Sequence, residues 1–323
     1  MSVVDSDPAQ RTVGVVGLGK MGRNHLRVLK SMKSMKVAFV SDTNRELGSQ
    51  IASQLEVPFL SHPMEGAALA KHLIIATSSE SHYKLTNECL GHFDAIFVEK
   101  PLTLDSASSR ALMDSASKSR TSIQVGFIER FNPAVQSLRR ALLSRPNPTS
   151  LEFRRVGRLA NFDQQVDVIR DLMIHDIDLA LVIAGPIDSI EGLGIDYSGA
   201  YRLCHALARH RSGTVSHFCT SHLSQKKQRW MRVGHEQYAA EVDLMSQSLV
   251  ISELGLVSDP DAGEFVSTSV EHEINVNRSE PLLDELRVFL YGPLNSSIVS
   301  VPGCRDALEA IQVCEHLLKD LKE

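Results

Sequence analysis

Apolar positions along the chain follow two patterns, and the change comes near residue 130. Up to residue 126, short unbroken apolar runs alternate with stretches where apolar residues recur every three or four positions. The runs are 12–16, 36–41, 72–76, 95–99 and 122–126. Runs of this length, bounded by turn residues, read as strands covered on both faces. The periodic stretches predict helices over about 20–33, 44–54, 81–91 and 105–119, with Asn44 and Asp105 as N-caps of the second and fourth. Strand and helix in regular alternation predict a doubly wound parallel sheet. Its ligand belongs off the carboxyl ends of the strands.

Beyond residue 130 an amphipathic helix is predicted from Pro133 to about Ser144, ended by Pro146 and Pro148. A strand follows at 149–156, then a polar segment over 157–166 that reads as a loop. The next helix covers about 170–184 and stops at Gly185-Pro186. Strands are then expected at 187–197, 200–210, 213–223, 228–235, 238–244, 247–252 and 265–274, with turns such as Ser198-Gly199 and Ser212-Gly213. Helices over 280–291 and 304–321 close the chain. The fold class is α/β: a parallel sheet in residues 1–128, then a second α/β domain in 129–323 with a large, mostly antiparallel open sheet. The helix at 304–321 is expected to pack back on the first domain. An apolar sheet face without helices of its own seldom stays in water, so a homodimer or homotetramer built on it is expected.

Composition narrows the class. A length of 323 residues suits two domains, and 43% hydrophobic with 23% charged residues is ordinary for a globular protein. A net charge of −5 leaves no footprint for nucleic acid or an anionic membrane. Residues 1–11 are polar, so no secretory signal is expected, and no apolar run approaches the ~20 residues that span a bilayer. Five widely spaced cysteines without a CxxC read as reduced thiols in a cytoplasmic protein. No metal site is expected; His205/His210 and His217/His222 read as surface or core histidines.

The chemistry concentrates at strand ends. Gly17-Leu18-Gly19-Lys20-Met21-Gly22 follows the first strand and opens the first helix. Gly17 suits the tight turn, Gly19 lets backbone approach a phosphate, and Gly22 lets helix pack on strand. The N–H groups of the first helical turn, including those of Lys20 and Met21, form an anion site. Asp42 closes the second strand 20 residues after Gly22. A carboxylate there accepts from ribose hydroxyls and repels a 2′-phosphate, which favours NAD over NADP. Thr43 and Arg45 adjoin it, and Arg45 is the residue that could instead meet a 2′-phosphate.

Lys100 follows the apolar strand 95–99 in Glu99-Lys100-Pro101. It reads either as a proton acceptor aimed at a ligand or as a solvated loop lysine. Asp171, His175 and Asp178 stand at i, i+4 and i+7, so one helix face is expected to carry all three. That suits proton transfer, with one acid orienting the imidazole. A metal half-site or helix-dipole acids are the alternatives. Gly126-Phe127-Ile128-Glu129-Arg130-Phe131-Asn132-Pro133 joins the two domains. Arg130 and Asn132 there either bind a polar substrate or pin the junction.

Taken together, these motifs resemble the glucose–fructose oxidoreductase/inositol dehydrogenase (Gfo/Idh/MocA) family over essentially the whole chain. The resemblance implies an N-terminal Rossmann domain, an open-sheet second domain, and NAD(P)-dependent chemistry at a sugar-like CH–OH. It assigns Lys100, Asp171 and His175 as catalytic. It places Gly17, Gly19, Lys20, Met21, Gly22, Asp42, Thr43, Arg45, Thr77, Ser78, His82, Glu99 and Lys100 at the cofactor. Lys100, Arg130, Asn132, Arg155, Arg170, Asp171 and His175 are placed at the substrate. It also implies a cis Lys100–Pro101 bond. The family usually has Thr-Pro where this chain has Thr77-Ser78. Gly126-Phe127, Arg154-Arg155-Val156-Gly157 and Lys226-Lys227-Gln228-Arg229 resemble the branch of UDP-N-acetylglucosamine 3-dehydrogenases. Arg130, Arg154, Arg155, Arg158 and Arg170 together suit a diphosphate. An inositol or free-sugar dehydrogenase, a carbonyl or imine reductase, and a non-catalytic NAD sensor are the competing readings.

Overall fold

A computed structural model describes residues 11–158, 167–258, 265–292 and 300–322. Most of the polar segment 157–166 lies outside them. The chain divides into two units: Met1–Ile128 with Leu282–Glu309, and Glu129–Pro281 with Ala310–Glu323.

The first unit is built from β1 (Arg11–Val16), α1 (Lys20–Ser31), β2 (Met35–Ser41), α2 (Arg45–Leu55), β3 (Phe59–Leu60), β4 (His72–Ile75), α3 (Ser79–Cys89), β5 (Ala95–Glu99), α4 (Ser106–Ser117) and β6 (Ser122–Gly126). All strand pairs are parallel, in the order β3-β2-β1-β4-β5-β6. The order reverses between β1 and β4, which puts the ligand position of such sheets beyond their carboxyl ends. Full burial of β4 and β5 explains their unbroken apolar runs. The N-caps fall where predicted: Asn44 accepts from Leu47 N–H and Asp105 from Ser108 N–H. β3 has two residues, too few to carry a period.

The second unit holds α5 (Pro133–Leu142), β7 (Ser150–Val156), a π-helical turn (Ile169–Met173), α6 (Ile174–Ala184), β8 (Ile187–Tyr197), β9 (Ala200–His210), β10 (Val215–Ser221), β11 (Gln228–His235), β12 (Tyr238–Asp243), β13 (Ser248–Ser258) and β14 (Phe265–Ile274). The eight strands run β14-β13-β12-β11-β7-β10-β9-β8, antiparallel except where β7 meets β10. Alternation along β9 buries Cys204, Ala206 and Ala208 and turns His205, Leu207 and Arg209 outward. The outward face carries Leu193 at 81% and Leu207 at 59% exposure.

The first unit also takes in α7 (Pro281–Tyr291). Its Leu282, Leu286, Phe289 and Leu290 join the core of Val13, Val15, Ile74 and Phe97. That stripe, at helical spacing, supplies the apolar surface the parallel sheet needs. The last helix, α8 (Cys304–Asp320), is divided. Its distal end belongs to the second unit, where Asp320 accepts from Gly192 N–H and Leu321 carbonyl accepts from Tyr201 hydroxyl. Among the described residues no helix is long and apolar enough to cross a membrane.

Candidate active site

The first unit supplies a dinucleotide cradle. Gly17 takes φ +84°, and a Cβ there would lie 2.6 Å from Ala76 oxygen and Thr77 nitrogen. A Cβ on Gly22 would strike the Gly17 carbonyl at 1.8 Å, so turn and helix touch backbone to backbone. Gly19 is the N-cap of α1. No side chain caps that end, and the first turn has no acid. An anion therefore fits its N–H groups, at Lys20 and Met21, better than any side chain nearby. Asp42 accepts from Leu18 N–H at 2.6 Å and from Asn44 N–H at 2.7 Å. Each oxygen keeps a lone pair for a ribose hydroxyl. Thr43 and Arg45 are exposed beside it.

Thr77 hydroxyl accepts from Ser81 Oγ at 2.7 Å, and Ser78 is the N-cap of α3. Lys100 follows β5, half-buried, with the expected cis bond to Pro101. Two of the residues assigned to the cofactor are buried. Glu99 is buried; its Oε1 lies 2.8 Å from His25 Nε2, and its Oε2 accepts from Lys100 N–H at 3.3 Å. His82 is buried too, with Nδ1 2.8 Å from the Pro101 carbonyl and Nε2 3.2 Å from that of Thr77. Burial pushes His82 below the usual imidazole range, against the pull of both carbonyls. A neutral ring has one N–H, and the nearer acceptor, Pro101, takes it. Glu99 and His82 therefore brace the Lys100 turn. His25 gave no signal in the sequence beyond its place on the buried stripe of α1.

In the second unit Asp171 sits on the π turn and His175 in the first turn of α6, both half-buried. Asp171 Oδ2 lies 3.1 Å from Nε2 of His222, which follows β10. Asp178, expected on one face with Asp171 and His175, is buried on Arg130, Nε to Oδ2 2.8 Å and Nη2 to Oδ1 2.5 Å.

Arg130, Asn132 and Arg155, expected at the substrate, are buried and committed to the fold. Arg155 is held by Asp176 at 2.7 Å and Glu129 at 2.8 Å, and Asn132 donates to the Leu244 carbonyl at 2.9 Å. Burial lifts the Asp176 pKa against the attraction of Arg155. Burial also opposes the Glu129 charge, but Arg155 and Arg229 outweigh it and hold that carboxyl below its ordinary range. These acids explain the arginines: residue type shows a cation but not which acid meets it.

The remaining arginines sort by face. Arg154 points opposite to Arg155, toward Gln228 and Cys219 on the open side of the sheet. Arg158 is exposed near Gln225. Arg170 pairs with Asp167 at 3.2 Å, and its buried Nε has no hydrogen-bond partner among the described residues. Arg229, the last residue of the Lys226-Lys227-Gln228-Arg229 stretch, lies across from Arg155 with 32% of its side chain exposed. Its contact to Glu129 is loose, at 3.6 Å. Burial, then the Arg155 charge, pull its pKa below the ordinary guanidinium value. Among the described residues no group of three or more His, Cys, Asp or Glu side chains is arranged to hold a metal ion.

Residues 11–127 match the model of an oxidoreductase family with an NAD-binding Rossmann fold, GFO_IDH_MocA. UDP-N-acetylglucosamine 3-dehydrogenase of Acidithiobacillus ferrooxidans is 29% identical over 252 residues, 76% of this chain and 78% of that one. Inositol 2-dehydrogenase 2 of Mycolicibacterium vanbaalenii is 28% identical over 182 residues, 54% and 53% of the two chains. Among solved structures, the Acidithiobacillus enzyme is similar with a TM-score of 0.84 at 24% identity, over 96% of this chain and 98% of that one. An oxidoreductase from Agrobacterium radiobacter, solved with NAD+, L-tartaric acid and magnesium, gives 0.80 at 15% identity, over 97% of each. Residues 11–127 are thus similar to the NAD-binding Rossmann domain of the Gfo/Idh/MocA oxidoreductases.

Proposed function

We propose that this chain is a Gfo/Idh/MocA oxidoreductase and an NAD-dependent dehydrogenase of a nucleotide sugar, with UDP-N-acetylglucosamine or a close UDP-sugar oxidised at its C3 hydroxyl. One observation carries the reading. In a chain with a dinucleotide cradle, the acid Asp171 stands half exposed on a π turn, anchored by a histidine, four residues before His175. π turns of this kind often mark functional positions.

Gly17, Gly19 and Gly22 would receive the pyrophosphate and Asp42 the ribose. When bound, NAD supplies the hydride acceptor. His175 or Lys100 takes the hydroxyl proton, Lys100 steadies the developing alkoxide, and Asp171 orients the imidazole and favours its charged form. Glu99 and His82 keep the Lys100 turn in place.

The substrate class rests on Arg229 and on the Acidithiobacillus relative. A half-exposed guanidinium with a like-charged neighbour and a loosely held acid gains from an anionic ligand. A neutral polyol is the second reading. It is favoured by the loss of Arg130 and Arg155 to internal ion pairs. A homodimer or homotetramer through the open sheet face, around Leu193 and Leu207, and a cytoplasmic location complete the proposal. A thermal-shift panel with NAD present separates the readings. Stabilisation by UDP-N-acetylglucosamine and not by inositol is expected; the reverse supports the polyol.

A further inference from the structure

His222 stands outside the residues that the sequence motifs assign to catalysis. Its backbone N–H donates to the Arg202 carbonyl at 2.8 Å, which sets the residue just past the end of β10. Its side chain is 2% exposed, against 31% for Asp171. Nε2 lies 3.1 Å from Asp171 Oδ2, while Nδ1 is buried and has no hydrogen-bond partner among the described residues. A proton on Nδ1 would be a buried donor with no acceptor, and Nε2 would then turn a lone pair toward a carboxylate. A proton on Nε2 removes both penalties. The pair therefore has a direction, with the ring donating and the acid accepting.

We propose that His222 is a positioning residue: it donates from Nε2 to Asp171 and fixes the carboxylate that acts on His175. This rests on the reading that Asp171 and His175 carry the acid–base step. A carboxylate with one oxygen held by a donor turns less freely about its last bond. Orientation of this kind is what a second carboxylate or histidine supplies to a proton-transfer pair.

Two arms test it. In the first, ¹⁵N NMR of the histidine-labelled full chain is compared with Asp171→Asn, with His222→Gln identifying the resonance. An Nε2–H ring whose shift moves in Asp171→Asn is expected. An Nδ1–H ring, or no movement, overturns the proposal.

The second arm is turnover of UDP-N-acetylglucosamine with NAD. His222→Asn and His222→Leu should lower kcat about ten- to hundredfold, the worth of one charge-assisted hydrogen bond, with KM for NAD little changed. His222→Gln, whose amide nitrogen reaches the place of Nε2, should recover most of it. A merely packing side chain would be served as well by Leu as by Gln. Normal kcat in a folded His222→Leu, with Asp171→Asn and His175→Ala inactive, overturns the role of His222 and leaves the acid–base reading standing. No turnover in the wild type, or near-normal turnover in Asp171→Asn or His175→Ala, overturns that reading and this proposal with it. If the Asn and Leu variants fail to fold, the NMR arm decides.

Discussion

Glu99 Oε1 lies 2.8 Å from His25 Nε2, and this contact ties the helix after the glycine turn to the end of the strand that precedes Lys100. His25 is fully buried with its ring edge-on to Phe97, centroids 5.1 Å apart. Glu99→Ala would strand a buried imidazole. A loss of about 1–3 kcal/mol is expected, as for a buried polar group left without its partner, and urea unfolding measures it. Unchanged stability would mean that the contact holds nothing.

Arg130 and Asp178 form a two-pronged ion pair with 2% and 1% of their side chains exposed. Breaking it from one side leaves an uncompensated buried charge, so Arg130→Met should cost about 3–5 kcal/mol. Replacing both partners by apolar residues should restore much of that loss. If the pair served the substrate instead, Arg130→Met would raise KM and leave the unfolding midpoint in place.

NAD should bind more tightly than NADP. The Asp42 carboxylate is fixed by two backbone donors, so it cannot swing away from a 2′-phosphate. Titration calorimetry with both nucleotides measures the ratio, and Asp42→Asn should narrow it. Equal or tighter binding of NADP by the wild type would assign the contact to Arg45.

Stability should fall on mild acidification, and His82 should account for part of the fall. The unfolded chain takes up a proton at His82 near the ordinary value of 6.5, whereas burial holds the folded pKa lower. Below about 6.5 the unfolded state therefore binds more protons, and the folded state loses stability as pH drops toward the folded pKa. Above that window the contribution is complete. His82→Gln should flatten the stability profile there, read from denaturant midpoints across pH. The buried His72 and His210, lowered for the same reason, leave a residual slope.

The layout of strands and helices was largely legible because its signals are local. β8, β9, β11 and β14 begin and end at the turns the residues announce. The glycine turn and Asp42 were legible for the same reason, since one βαβ unit contains them. What stayed hidden depends on partners far along the chain. Arg155 and Asp176 are 21 residues apart on different elements, and nothing in either segment says that they meet. The π turn was hidden as well, because a 3.6-residue period was assumed across 169–173. His222 and Arg229 lie on strands or their ends, where a polar residue most often faces water.

The most direct test is NADH formation by the purified chain with NAD and UDP-N-acetylglucosamine, run beside inositol, glucose and N-acetylglucosamine. The expected result is turnover of the UDP-sugar alone. It should vanish in Lys100→Ala while NAD still binds, and it should not return in Lys100→Arg, since arginine cannot release a proton. His175→Ala should slow it about 10²–10⁴-fold. Turnover of a free sugar without response to any UDP-sugar, or a Lys100→Ala variant running near the wild-type rate, would contradict it.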